Sequence, residues 1–125
     1  MNTFQDIIAW QKGYQLTLLI YKFTKGFPPN EEFGLKSQIR RAAVSIVSNI
    51  AEGFRKYSLK EGIHYYNCSL SSLEEVKCQN LLSRDLGYYD LKSFEAIQHL
   101  SDECGKTLNA WIKSQKILMN RNTYK

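Results

Sequence analysis

Residues 35–56, LKSQIRRAAVSIVSNIAEGFRK, carry the pattern from which the rest of the fold is read. Placed on a helix at about 100° per residue, Leu35, Ile39, Ala42, Ile46, Ile50 and Gly53 share one side, with the polar Gln38 and Asn49 at its edge. The opposite side holds Val44, Val47 and Ala51, and no charged residue occurs from Ala42 to Ala51. An ordinary surface helix shows a broad polar face. A helix that is apolar on two sides is covered on two sides, and the small residues Ala42, Ala43, Ser45, Ser48 and Ala51 let neighbouring backbones approach closely. The expectation is a central helix that meets its own core through the first face and a partner subunit through Val44, Val47 and Ala51. A central helix in a monomer is the alternative.

The flanking sequence supplies three more helices. Upstream, a helix is predicted over residues 4–25, with Thr3 and Asp6 spaced as a capping box. One of its stripes is Ile7, Trp10, Tyr14, Leu18 and Tyr21, and a second is Ile8, Leu16, Leu19 and Phe23. The segment Gly26-Phe27-Pro28-Pro29-Asn30 ends it, because Pro28 disfavours a helical conformation for Phe27. The central helix is placed at 35–54. Ser58-Leu59-Lys60-Glu61 has the S-x-x-E form of a helix start, so a third helix is predicted over 59–86, stopped by Gly87, with the stripe Leu59, Ile63, Tyr66, Leu70, Leu73 and Leu81 interrupted by Lys77. Asp90 opens a fourth at 91–118, with Phe94, Ile97, Cys104, Leu108, Trp111 and Leu118 at three-four spacing, Ser101 and Gln115 as polar members, and fraying from Asn120. Long helices, short links and no strand pattern give an all-α, up-down-up-down antiparallel four-helix bundle in a single domain over residues 1–125.

Composition narrows the class. The 125 residues are 43% hydrophobic and 13% aromatic, which is globular, and no window approaches a membrane span. The stretch MNTFQDIIAWQKG has no basic, apolar and small-residue succession of an export signal, so a cytoplasmic location is expected. Cys68, Cys78 and Cys104 share no CxxC spacing, which predicts reduced thiols and neither a disulfide frame nor a metal site. The net charge of +5 is unevenly spread: residues 1–105 are balanced, and Lys106, Lys113, Lys116, Arg121 and Lys125 follow with no acid. Within the balanced part, Lys36, Arg40, Arg41, Arg55, Lys56 and Lys60 stand against Glu52 alone in residues 36–60, whereas residues 61–105 are acidic. A polyanionic partner is one reading of this polarity, and subunits attracting each other is another.

No catalytic constellation is present in the sequence. His64 and His99 fall on different helices, and there is no phosphate loop and no H-E-x-x-H, so the chain is expected to be no enzyme and to use no cofactor. The Tyr65-Tyr66 and Tyr88-Tyr89 pairs could stack on bases or pack at the core edge. Gln38, Asn49 and Glu52 would be costly if buried alone, so a buried polar network is expected around them. Arg40-Arg41 and Arg55-Lys56 bracket the uncharged segment and suit phosphate contacts or intersubunit pairs.

The segments FQDIIAWQKG, GFPPNEEFGLKSQIRRAAVSIVSNIAEGFRK and LLSRDLGYYD together resemble a four-helix bundle family that includes proteins encoded within intervening sequences of bacterial 23S ribosomal RNA. The resemblance spans most of the chain and extends to the retroelement accessory variability determinants. It implies a homo-oligomer, a ring-shaped pentamer by similarity to those accessory members, with a basic surface able to bind nucleic acid. The family pattern A-x-G-S-x-x-E-x-E-x-Q is matched in the third helix by Ser72, Glu75 and Gln79, and departed from at Ser71 and Lys77.

Two function classes follow. One is a nucleic-acid-binding accessory protein, with RNA favoured by the ribosomal intervening-sequence resemblance and Lys36, Arg40, Arg41, Arg55, Lys56 and Lys60 as the contacting residues. The other is a homo-oligomeric scaffold or adaptor serving protein partners only. Salt dependence separates them, because each neutralised phosphate releases counterions.

Overall fold

The chemistry expected at the helix starts is in place. In the computed structural model, which describes residues 2–123, the Thr3 hydroxyl accepts from the Gln5 amide at 3.1 Å, and Asp6 Oδ2 accepts from the Thr3 amide at 3.2 Å. Ser58 Oγ accepts from the Glu61 amide at 3.1 Å, and Asp90 Oδ1 from that of Ser93 at 2.8 Å. Each satisfies an amide that the first helical turn would leave without a partner.

Four α-helices result: α1 Ile8–Thr24, α2 Leu35–Arg55, α3 Leu59–Asp85 and α4 Leu91–Thr123. The Thr3 capping box closes a 3-10 turn, Phe4–Asp6, and not α1 itself. Ile7 between them is extended (ψ 120°) and only 1% exposed, so the chain folds inward to bury it before the helix begins, which corrects the continuous helix expected from residue 4. At the other end, α4 continues to Thr123 and does not fray at Asn120, because Met119 still packs against the core. Gly87 adopts φ +74°, with its amide on the Arg84 carbonyl and the Tyr88 amide on that of Ser83, so a left-handed glycine turn ends α3 as expected.

The helices run up, down, up and down, each packed on its neighbours in sequence and α4 closing against α1. The most extensive contact is between α2 and α3. It is made close by small and hydroxylic residues: Ser45 and Ser72 hydroxyls lie 2.8 Å apart, Ser69 donates to the Ile46 carbonyl, and Gly53 meets Gly62. The buried line of α3 therefore passes through Ser69, Ser72, Val76, Asn80 and Ser83, whereas Leu81, predicted to be inside, is exposed. Likewise α1 buries Ala9, Gly13, Leu16, Ile20 and Thr24, and the expected members Tyr14, Leu18 and Tyr21 are left outside. In α4 the line runs through Ile112 and Gln115, with Trp111 half-buried and Leu118 exposed.

The α2 stripe is as expected: Leu35, Ile39, Ala42, Ile46, Ile50 and Gly53 are all buried. This line forms the centre of the core with Leu16 and Ile20 of α1, Leu73 and Val76 of α3, and Ile97 and Leu108 of α4.

Candidate nucleic-acid interface

The length of α2 divides the six cations on and just after it into two groups. Lys36, Arg40 and Arg41 lie in its first two turns, Arg55 and Lys56 at its end with Lys60 just beyond, and about 20 Å of helix separates Arg41 from Arg55. They cannot form one patch on a single protomer.

At the first group most of the charge is already engaged. Lys36 Nζ pairs with Glu32 Oε2 at 2.9 Å. Arg40 donates from Nε to Thr24 Oγ1 at 2.8 Å and from Nη2 to the Tyr21 carbonyl at 3.1 Å, with its guanidinium 4.4 Å from the Tyr21 ring centre. It thereby ties α2 to the end of α1, a structural duty that the sequence does not show. Arg41 alone of this group is exposed and, among the described residues, without an ion pair. A cleft of about 430 Å³ lies here, lined by residues that include Phe33, Ser37 and Val44.

At the second group the balance is reversed. Lys56 pairs with Glu52 at 3.0 Å and stands 4.9 Å from the centre of the Tyr65 ring. The hydrogen bond from Lys56 lowers the Glu52 pKa below the usual carboxylate value, and its counterpart raises that of Lys56. Arg55 and Lys60 are exposed and, among the described residues, form no salt bridge, although the charge of Arg55 is also felt by Glu52. Beside them the α2–α3 turn is flanked by two clefts that share Ser58 and Lys60. One, of about 620 Å³, is lined also by Lys56, Glu61, His64 and Tyr65; the other, of about 390 Å³, by Tyr57, Leu59, Met119 and Asn122. The second cleft brings the end of α4 to this turn, so the exposed Lys116 and Arg121 belong to the same pole as Arg55 and Lys60. Lys125, counted with this tail in the sequence, lies outside the described residues.

The remaining site expectations are placed as follows. Val44 is 40% exposed, while Val47 and Ala51 are half-buried, with Val47 Cγ1 3.1 Å from where a Cβ on Gly13 would stand. The buried polar network expected from Gln38, Asn49 and Glu52 is corrected: Gln38 and Glu52 are exposed, so that water satisfies Gln38 and Lys56 pairs with Glu52. Only Asn49 joins a network, donating to the Ser45 carbonyl at 2.8 Å and to Ser45 Oγ at 2.9 Å. The hydroxyls of Ser45, Ser69 and Ser72 and the amide of Asn80 form the buried polar contacts instead, with Asn80 Nδ2 on the Phe94 carbonyl and its Oδ1 accepting from Tyr89. Small polar residues in an otherwise apolar period were the available signal for this, at Ser45, Ser69 and Ser72.

Among the described residues no group of His, Cys, Asp and Glu is arranged to hold a metal ion, and no helix is long and apolar enough to cross a membrane. The three cysteines are free, with Cys78 exposed and Cys104 buried.

The sequence model described as 23S rRNA-intervening sequence protein matches residues 5–110. In three dimensions the chain is similar to a crystal structure from Bacteroides thetaiotaomicron VPI-5482, described as a protein with unknown function from the S23 ribosomal protein family. The TM-score is 0.75 at 28% identity, over 84% of this chain and 98% of that one. No curated protein matches the chain.

Proposed function

We propose, from the premise that the chain belongs to the 23S rRNA-intervening sequence protein family, that it is a non-enzymatic, cytoplasmic, homo-oligomeric accessory protein that binds RNA through a basic pole. The observation that carries this reading is that the turn holding Arg55 and Lys60 shares a cleft with Met119 and Asn122, on the same stretch of α4 as the exposed Lys116 and Arg121, while Lys56 is paired with Glu52. Phosphate contacts of this kind give affinity without sequence readout. Each subunit supplies only a few, and an assembly repeats them, so modest contacts add through multivalency. Lys36, Arg40 and Arg41 enter as a second, weaker surface, in which Arg41 is the cation open to a phosphate.

A scaffold for protein partners is the second reading. It is favoured by the exposed Leu82, Leu86 and Leu91 at the opposite end of the bundle. Equilibrium binding to labelled RNA across a salt series decides between the two. RNA binding that is strong at ~50 mM salt and falls steeply by ~200 mM supports the basic pole. Replacing Arg55 and Lys60 together by Ala should then flatten the log–log salt slope by about one to two. Wild-type protein, purified free of nucleic acid, that binds no RNA at ~50 mM salt would leave the scaffold as the function.

A further inference from the structure

The tyrosines differ sharply in what their rings are free to do. Tyr66 is buried against Trp111, with ring centres 5.9 Å apart. Tyr88 donates to Glu31 Oε2 at 2.6 Å and packs on Phe27, and Tyr89 is turned inward onto Asn80. Tyr65 has Lys56 against its ring and the His64 ring edge-on to it. None of the four paired tyrosines leaves its ring free of a neighbouring side chain.

Tyr57 does. It sits in the turn between α2 and α3, outside both helices, and is fully exposed at 105% of its reference surface. Among the described residues no ring, cation or hydrogen bond engages it, and it lines the 390 Å³ cleft that Lys60 shares. Arg55 lies two residues before it and Lys60 three after, and neither is in a salt bridge among the described residues. An aromatic face between two unpaired cations is the elementary unit of single-strand recognition: the cations hold successive phosphates and the ring receives an unstacked base. A duplex keeps its bases stacked and offers the ring nothing. Phe33 is the nearest rival, 96% exposed beside Lys36, Arg40 and Arg41, but its cations are occupied by Glu32, Thr24 and Tyr21, with Arg41 alone left over.

We infer that Tyr57 is a stacking platform for one unpaired base of RNA, with Arg55 and Lys60 on the flanking phosphates, so that the basic pole selects single-stranded over duplex RNA. This rests on the RNA-binding reading above and adds to it a discrimination that charge alone does not supply. Stacking needs the ring and not the hydroxyl, and it releases no counterions, so it separates from the phosphate contacts in a salt series.

The test uses the full chain with a fluorescein-labelled single-stranded RNA of mixed sequence and the corresponding duplex. Tyr57→Ala should weaken single-strand binding by roughly 5- to 150-fold, leave the salt slope unchanged and leave the duplex nearly unaffected, and Tyr57→Phe should bind as the wild type does. Arg55→Ala with Lys60→Ala should weaken both RNAs and flatten the slope. If that pair weakens RNA while Tyr57→Ala equals the wild type, the stacking assignment is overturned and the RNA reading stands. An equal loss on single strand and duplex, or a loss on Phe33→Ala with none on Tyr57→Ala, also overturns it. Wild-type protein that binds neither RNA removes the RNA reading, and this inference with it.

Discussion

Gly53 lies against the ring of Tyr66, so that a Cβ built on the glycine would stand 2.6 Å from Tyr66 Cε1 and 2.9 Å from the Gly62 carbonyl oxygen. Helix propensity alone favours alanine at an interior position by about 1 kcal/mol. The overlap outweighs it, because Tyr66 is only 3% exposed and the second neighbour is backbone, so neither can step aside freely. Gly53→Ala is therefore expected to destabilise the fold by about 1–2 kcal/mol net, from an overpacking cost at the upper end of the usual range, about 2–3 kcal/mol, less the propensity gain. Thermal unfolding checks this, and a melting temperature equal to or above the wild type would show that α2 and α3 are not in such close contact.

The same contact explains what the sequence could and could not reveal. The α2 stripe was legible because it is evenly spaced and carried by the large apolar Leu35, Ile39, Ile46 and Ile50. The inner line of α3 was not, since Ser69 and Ser72 are buried only because Ile46 and Ser45 of α2 satisfy their hydroxyls. A count of apolar positions assigns such residues to the surface and brings Leu81 inside. Arg40 is similar, as its partners Thr24 and Tyr21 lie 16 and 19 residues away with no local signal. By contrast, the division of the α2 cations between two ends follows from helix length, and the meeting of the α4 tail with Arg55 and Lys60 follows from alternating helix direction. Both consequences were contained in the predicted topology.

Glu31 and Tyr88 make the stability of the upper end depend on pH. Glu31 accepts from the Leu35 amide at 2.9 Å and from the Tyr88 hydroxyl at 2.6 Å, joining the link before α2 to the turn after α3. The Leu35 amide first, and then Tyr88, lower the Glu31 pKa below its ordinary 4.5. A depressed carboxylate contributes stability that is full above the unfolded value and is lost as pH falls through the folded one. Tyr88 is raised by its bond to Glu31, so its contribution is full below the ordinary tyrosine value of 10.0 and is lost as pH climbs past the raised one. Glu31→Gln should lower the melting temperature near neutral pH, and its deficit against the wild type should shrink below pH 4.5. A deficit that stays constant with pH would mean that the Glu31 charge contributes nothing.

Thiol reactivity should follow burial. Cys104 is 0% exposed and donates to the Ala9 carbonyl at 3.7 Å, and burial pushes its pKa up to about 12. Thiolate is the reactive form, so this thiol is protected by protonation as well as by access. With an alkylating reagent at pH 8, mass spectrometry should find Cys78, which is exposed, modified first, and Cys104 modified only after denaturation. Modification of Cys104 in the folded protein at a rate like that of Cys78 would show that the core opens on the labelling timescale.

The outer face of α1 and α2 carries the last prediction. Tyr14, Leu18 and Tyr21 are exposed along α1, Tyr14 stacks on Trp10 at 5.0 Å, and Tyr21 shares a cleft with Val44 of α2. An apolar strip of this kind marks a contact surface, and closed symmetric assembly of identical chains is the common way to cover one. The protein is thus expected to sediment at micromolar concentration as a species larger than its 14.5 kDa protomer, with five copies as the number suggested by family resemblance. A charge placed on the strip should reduce the assembly while the helices persist, so Leu18→Glu and Val44→Glu are expected to lower the sedimentation coefficient without loss of helical circular dichroism. Ile46→Ala is the contrasting change: Ile46 is wholly buried on the inner face, and its truncation should destabilise the fold by roughly 2–5 kcal/mol. If the wild type sediments only as a protomer, the strip serves no self-association. If it assembles and both glutamate variants assemble equally well, the subunits meet elsewhere, and the exposed Leu82, Leu86 and Leu91 at the far end become the surface to alter next.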